Sequence, residues 1–189
     1  KFLHPGPGFG GSCFPKDISA LLKHSQKMST QLSTVSSAIK ANKNQKGIMI
    51  FKLKSLLHNQ FEGKTIAILG LAFKQNTDDV RESPAISMIQ GILDNKGLVN
   101  AYDPMATENM KKHFPDINYF NSVEKTVHNT HAIVIMTEWN EFRSLDFKML
   151  KINMKYPAVL DTRNITNIQT LIDLGFKYST VGRGSNVKD

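Results

Sequence analysis

From Thr65 onward, short apolar runs rich in β-branched residues alternate with segments of helical spacing, and this restricts the chain more than any other feature. Thr65-Ile66-Ala67-Ile68-Leu69, closed by Gly70, reads as a buried strand. Leu98–Tyr102, Ile117–Phe120, His131–Met136, Ala158–Leu160 and Phe176–Thr180 repeat the pattern. Ser83 and Pro84 cap and open a helix through Asn95, which Gly97 ends. Further helices are predicted over Thr107–His113, Val123–Asn129, Leu145–Ile152 and Ile165–Leu174. Strands spaced by helices of this length predict an α/β fold with a Rossmann-like, doubly wound parallel sheet. Ligands of such sheets bind beyond the carboxyl ends of the strands. That rule singles out Leu71–Ser83, Tyr102-Asp103-Pro104, Thr137–Asn140 and Asp161–Asn164.

Upstream, Asp17 to about Leu57 reads as helix with a break near Ser25–Thr30. Ile48, Met49, Phe51, Leu53, Leu56 and Leu57 make its second half apolar on more than one side, the mark of a helix that packs on two things. Phe61-Glu62-Gly63-Lys64 reads as a linker, which divides the chain into a helical segment (1–60) and a sheet domain (61–189). The polar tail after Val181 is expected to be loose.

Before the helices lies His4-Pro5-Gly6-Pro7-Gly8-Phe9-Gly10-Gly11-Ser12-Cys13-Phe14-Pro15-Lys16-Asp17, which contains the only cysteine of the chain. Its glycines permit close ligand approach, and its prolines are expected to delay the helix until after Pro15. A thiol near a helix N-terminus and beside Lys16 is favoured as thiolate, and Asp17 stands one turn on, placed to orient water or move a proton. Nucleophile, cation and carboxylate within five residues suit covalent catalysis. The plainer alternative is a small buried thiol in an ordinary loop. Gly6–Gly11 matches G-x-G-x-x-G letter for letter, but lacks the flanking strand and helix that a dinucleotide site needs. In the first sheet loop, Lys74 and Arg81 suit phosphate oxygens; equally, they can pair with Asp78, Asp79 and Glu82 on the surface. With Gly70 as its single glycine, that loop fits one nucleotide better than a complete NAD site.

The 189 residues carry a formal charge of +8, but without a basic run or interleaved aromatics, so nucleic-acid binding is not indicated. No apolar run approaches a membrane span. A single free cysteine suits a reducing cytoplasm. His128 and His131 lack further partners at metal-ligand spacing, and no metal site is expected. Trp139 is read as packing, not as a stacking platform.

The stretch Lys1–Asp17 closely resembles the active-site cysteine segment of the nucleotide-sugar dehydrogenase family. Gly70-Leu71-Ala72-Phe73-Lys74, Asp79–Pro84, Tyr102-Asp103-Pro104, Thr137-Glu138-Trp139 and Asp161-Thr162-Arg163-Asn164 resemble, in order, motifs of its C-terminal domain. The resemblance implies oxidation of a sugar C6 alcohol to the carboxylate with two NAD molecules reduced, the Ser12-Cys13-Phe14-Pro15 form fitting UDP-glucose, with GDP-mannose or a UDP-N-acetylhexosamine as alternatives. It implies catalysis by Cys13, Lys16 and Asp17. Phe2, Leu3, His4, Pro5, Gly6, Gly8, Phe9, Gly10, Phe73, Lys74 and Arg163 would bind the substrate; Cys13, Lys16 and Arg81 would lie against NAD. It implies a homodimer through the central helices. Many relatives carry Asp-Gly-Arg, so Thr162 is expected to narrow the approach to the sugar. Lys1 is no start methionine, and the chain is expected to be a C-terminal fragment without the first NAD-binding domain. Alone, it is expected to be a non-catalytic UDP-sugar-binding and dimerising module.

Overall fold

The computed structural model describes residues 4–187. Six strands form one parallel sheet: β1 (Thr65–Leu69), β2 (Leu98–Tyr102), β3 (Asn118–Tyr119), β4 (Ala132–Ile135), β5 (Ala158–Asp161) and β6 (Lys177–Thr180). Their spatial order is β3-β2-β1-β4-β5-β6, with the order reversing at β1 and β4. Every pairing is parallel; Ile66 stands opposite Val99 on one side and Ala132 on the other. The expected doubly wound architecture is present.

Alternation along the strands splits the core into two layers. Ile66, Ile68, Val134 and Leu160 face one layer, which Met88, Ile89 and Ile92 of the helix Pro84–Asp94 complete. Ala67, Leu69, Ile133, Ile135 and Val159 face the other, against Val127, Phe142, Leu150 and Leu171. β1, β4 and β5 are therefore buried on both faces, which is why their sequences read as continuous apolar runs.

The two upstream helices are α1 (Cys13–Lys27) and α2 (Ser33–Leu56). The break between them falls where expected. Contrary to expectation, α1 starts at Cys13 and not after Pro15. Pro15 is its third residue, where a helix has no acceptor for an N–H, so the missing donor costs nothing. Met49, Leu53 and Leu56 of α2, followed by Leu57, enter the first core layer, while Ile48 and Phe51 stay exposed. α2 is thus packed on the sheet at one end and reaches past it at the other.

Other boundaries shift as well. The third strand shrinks to Asn118–Tyr119, and the chain after β4 makes an extra one-turn helix at Asn140–Arg143. The tail is not loose: Asn186 accepts from Tyr178 N (2.7 Å) and donates its own backbone N–H to Tyr178 O (3.2 Å), folding residues 181–187 back onto β6. No helix among the described residues is long and apolar enough to cross a membrane.

Candidate functional site

The carboxyl ends of β1, β2 and β4 are tied together by one buried side chain. Asp103, at the end of β2, accepts through Oδ2 from Leu71 N (2.7 Å), Ala72 N (3.1 Å) and Trp139 Nε1 (3.1 Å). Its Oδ1 accepts from Met105 N (2.9 Å) and Ala106 N (2.8 Å). Trp139 is buried packing, as read, but it also donates to this hub. The two amides after β1 are the groups that hold a pyrophosphate in a dinucleotide-binding sheet. Here the chain's own carboxylate takes them.

The loop after β1 then leads to Phe73 and Lys74. Lys74 Nζ lies 5.3 Å from the centre of the Phe73 ring, and Lys74 is exposed. Arg81 is also exposed and grips Asp79 in two places, Nε to Oδ1 at 2.9 Å and Nη2 to Oδ2 at 2.8 Å. That hydrogen-bonded guanidinium holds the Asp79 carboxyl below the usual carboxylate range. The surface pairing considered for this loop is therefore made by Arg81 and Asp79, while Lys74 sits over an aromatic face.

Arg163 follows β5 and is largely buried. It donates Nε to Met136 O (2.7 Å) and Nη2 to Phe73 O (3.0 Å). Glu138 Oε2 stands 3.3 Å from Nε, but the Nε hydrogen is directed at Met136, so this is a charge contact, and Oε2 is buried with no hydrogen-bond donor among the described residues. Burial lowers the Arg163 pKa from its ordinary value, against the pull of the Glu138 and Asp161 carboxylates. The Thr162 hydroxyl turns inward and donates to Ile135 O at 2.7 Å.

The Gly/Pro loop is seated on these elements. Gly11 N donates to Arg81 O at 2.8 Å. A Cβ on Gly11 would meet the Phe73 ring at 2.9 Å, one on Gly10 would strike Glu82 O, and one on Gly6 would touch Arg163 Nη1 at 3.5 Å. The loop can lie this close because it carries glycine at those points. The fold thus brings Gly6, Gly10, Phe73, Arg81 and Arg163 together.

Cys13, Lys16 and Asp17 are also close in sequence and placed in the first turns of α1, but all three are exposed. Cys13 Sγ lies 3.8 Å from Ser12 Oγ, and Lys16 Nζ lies 3.3 Å from Asp17 Oδ1. The buried-thiol alternative is excluded. His4 and Pro5 are exposed at the start of the loop; Phe2 and Leu3 lie outside the described residues. An open cleft of about 920 Å³ runs beside this turn, lined by Phe9, Ser12, Lys16, Asn42, Lys46 and Arg81 among others. Of the two spaced histidines, His131 Nδ1 accepts from Thr65 N at 3.1 Å and is tied to the start of β1.

Two sets of residues were not legible in the sequence. Asp103 reads there as half of an Asp-Pro turn. Asn42, Gln45 and Lys46 project from α2 at helical spacing; Asn42 and Gln45 hold the Gly/Pro loop, Gln45 Nε2 donating to Gly6 O at 2.8 Å, while Lys46 Nζ donates to Glu82 O in the loop after β1 at 3.3 Å. In the sequence all three lie in the polar run Asn42-Lys43-Asn44-Gln45-Lys46, and nothing there marks which of them turn inward.

Residues 67–168 match the UDP-glucose/GDP-mannose dehydrogenase family, UDP binding domain, and residues 1–44 match the central domain of the same family. A UDP-glucose 6-dehydrogenase of Rhizobium meliloti (strain 1021) is 43% identical over 183 residues, covering 97% of this chain and 42% of the relative. A UDP-glucose dehydrogenase from the hyperthermophilic archaeon Pyrobaculum islandicum superposes with a TM-score of 0.77 at 29% identity, over 85% of this chain and 35% of that one. An NDP-N-acetyl-D-galactosaminuronic acid dehydrogenase from Methanosarcina mazei Go1 gives 0.85 at 26% identity, over 96% and 40%. The chain spans about two fifths of the length of the curated relative, the share being 42%.

Proposed function

The chain belongs to the UDP-glucose/GDP-mannose dehydrogenase family, and on that footing we propose that it is the UDP-sugar-binding and cysteine-bearing part of a cytoplasmic UDP-glucose 6-dehydrogenase. The observation that carries this is the seating of the Gly6–Gly11 loop, which ends at Cys13, on Phe73, Arg81 and Arg163. A nucleotide diphosphate held by Lys74 and Arg163 would present its sugar to the end of that loop. The naming of a 43%-identical relative supports UDP-glucose as the sugar.

In this reading Cys13 is the nucleophile. Its thiolate adds to the C6 aldehyde, forming a C–S bond while the carbonyl oxygen takes up a proton. Oxidation of that thiohemiacetal gives a thioester. Lys16 faces the carbonyl oxygen, and Asp17 accepts a proton from the water that hydrolyses the thioester and frees the thiol. NAD, when bound, supplies the acceptor for the two hydrides lost from C6. The sheet offers it no pyrophosphate cradle, since Asp103 holds the Leu71 and Ala72 amides. The exposed Arg81 and Lys16 beside Cys13 fit one end of the cofactor instead. Exposed Phe14, Leu21, Met28, Ile48 and Phe51 along α1 and α2 support a homodimer through these helices.

Within a complete dehydrogenase, Cys13→Ser should abolish formation of the sugar acid, measured as product by chromatography; full turnover would remove the covalent role. The exposure of Cys13, Lys16 and Asp17 favours a second reading for the chain alone, a binding and dimerising module without turnover. Steady NADH production from UDP-glucose by the purified chain would overturn it.

A further inference from the structure

The Gly/Pro loop has few hydrogen bonds of its own, and its shape is imposed from α2. Asn42 bonds both backbone polar groups of one residue: Phe9 N donates to Asn42 Oδ1 at 2.7 Å, and Asn42 Nδ2 donates to Phe9 O at 3.2 Å. The two residues are 33 positions apart. A Cβ on Gly8 would come within 2.8 Å of Asn42 Oδ1, so glycine there is what lets the helix side chain reach the backbone. Gln45 and Lys46, on the same helix face, hold Gly6 O and Glu82 O at 2.8 and 3.3 Å. The Phe9 ring packs edge-on against Phe14, centroids 4.9 Å apart, and Phe14 follows Cys13 in the first turn of α1. One side chain is thereby linked to the reactive turn through a single intermediate residue.

We propose that Asn42 is the positioning residue of the cysteine segment. By clamping the peptide groups of Phe9 it sets the loop against Phe73 and Arg163. Through the contact of Phe9 with Phe14 it also sets the turn that presents Cys13. An amide suits the task because it offers one acceptor and one donor side by side, matching the N–H and C=O of a single residue. Apolar side chains of similar size offer neither, and a carboxylate offers only the acceptor. The consequence for ligand affinity rests on the function proposed above; the clamp itself does not.

The test is hydrogen exchange by mass spectrometry on the whole chain, with UDP-glucose titration alongside. In Asn42→Ala, peptides covering residues 5–14 should exchange at least about tenfold faster, while peptides of β1, β4 and β5 keep their wild-type rates. Asn42→Asp keeps the acceptor for Phe9 N and loses the donor, and should fall between the two. If Asn42→Ala does not fold, the aspartate variant carries the same comparison. The Kd for UDP-glucose should rise about tenfold in Asn42→Ala, equivalent to about 1.4 kcal/mol. Wild-type exchange in residues 5–14 of the variant would overturn the proposal. So would equal acceleration across the sheet, which would mark Asn42 as a general stability residue. Should the wild-type chain bind no UDP-glucose, the proposed function loses its support while the exchange result still decides the clamp.

Discussion

The loops at the carboxyl end of the sheet and the turn that carries Cys13 are held in opposite ways. Around Asp103, five donors from three loops converge on one buried carboxylate. Around Cys13, the charged side chains lie on the surface, and the Lys16–Asp17 pair at 3.3 Å is solvated on both sides. A buried charge with every lone pair engaged fixes its surroundings; an exposed ion pair contributes little and orders little. The chain therefore fixes the loops at the carboxyl end of its sheet but leaves the turn that carries Cys13 open. Electrostatic catalysis works best where water is excluded and donors are fixed in advance. In this protein the loops around Asp103 meet that condition and the cysteine turn does not.

The largest effect should come from breaking the frame at its centre. Asp103→Ala leaves the Leu71 and Ala72 amides and the Trp139 indole N–H without their acceptor, and should cost about 3 kcal/mol or more in denaturant unfolding. A loss under about 0.5 kcal/mol, the range of ordinary surface changes, would erase the contrast with the cysteine turn. Glycine substitutions sharpen the comparison at the next level. Gly10→Ala drives a Cβ into the Glu82 carbonyl and should destabilise by about 1–3 kcal/mol, because backbone must move. Gly47→Ala, exposed in the middle of α2 with nothing near its Cβ, should instead stabilise by up to about 1 kcal/mol. Thermal unfolding of the two variants side by side would show whether the loop, and not glycine in general, is sensitive.

The smallest effect is on pH, at the opposite end of the sheet. Burial, with Lys64 and Lys155 nearby, lowers the His131 pKa in the fold. The unfolded chain therefore takes up a proton first as pH falls below the ordinary histidine value of about 6.5. Stability carried by neutral His131 is complete above that pH and declines as pH drops toward the lowered folded-state value. His131→Asn, which keeps an acceptor for Thr65 N but does not titrate, should flatten the decline in Tm between neutral and mildly acid pH. An unchanged slope would assign the acid sensitivity elsewhere.

Much of the frame was legible in the sequence, because its strands are buried on both faces and its helices carry one apolar stripe. The alternation from Thr65 to Thr180 was enough to set the sheet. Features smaller than that signal were not legible. Asn140–Arg143 is one turn long, and Asn118–Tyr119 pairs over two residues. The order of the tail depends on a side chain, Asn186, bonding back to β6. The start of α1 at Cys13 went unread because a proline in a first turn resembles a helix breaker until its position is known. At the site, Phe73, Arg81 and Arg163 could be picked out as residues beyond strand ends. The same rule reaches Asp103, but neither its role as a hub nor the clamp made by Asn42 could be read, since what they do depends on where distant peptide groups come to lie.

The claim that the binding frame is complete within this chain is tested most directly by calorimetric titration of the purified protein with UDP-glucose, using Lys74→Ala and Arg163→Met as controls. The account predicts binding by the wild-type chain, weakened about tenfold or more in both variants, as expected for loss of a charge-assisted contact to phosphate. Binding that neither substitution weakens, or no binding at all, would contradict it.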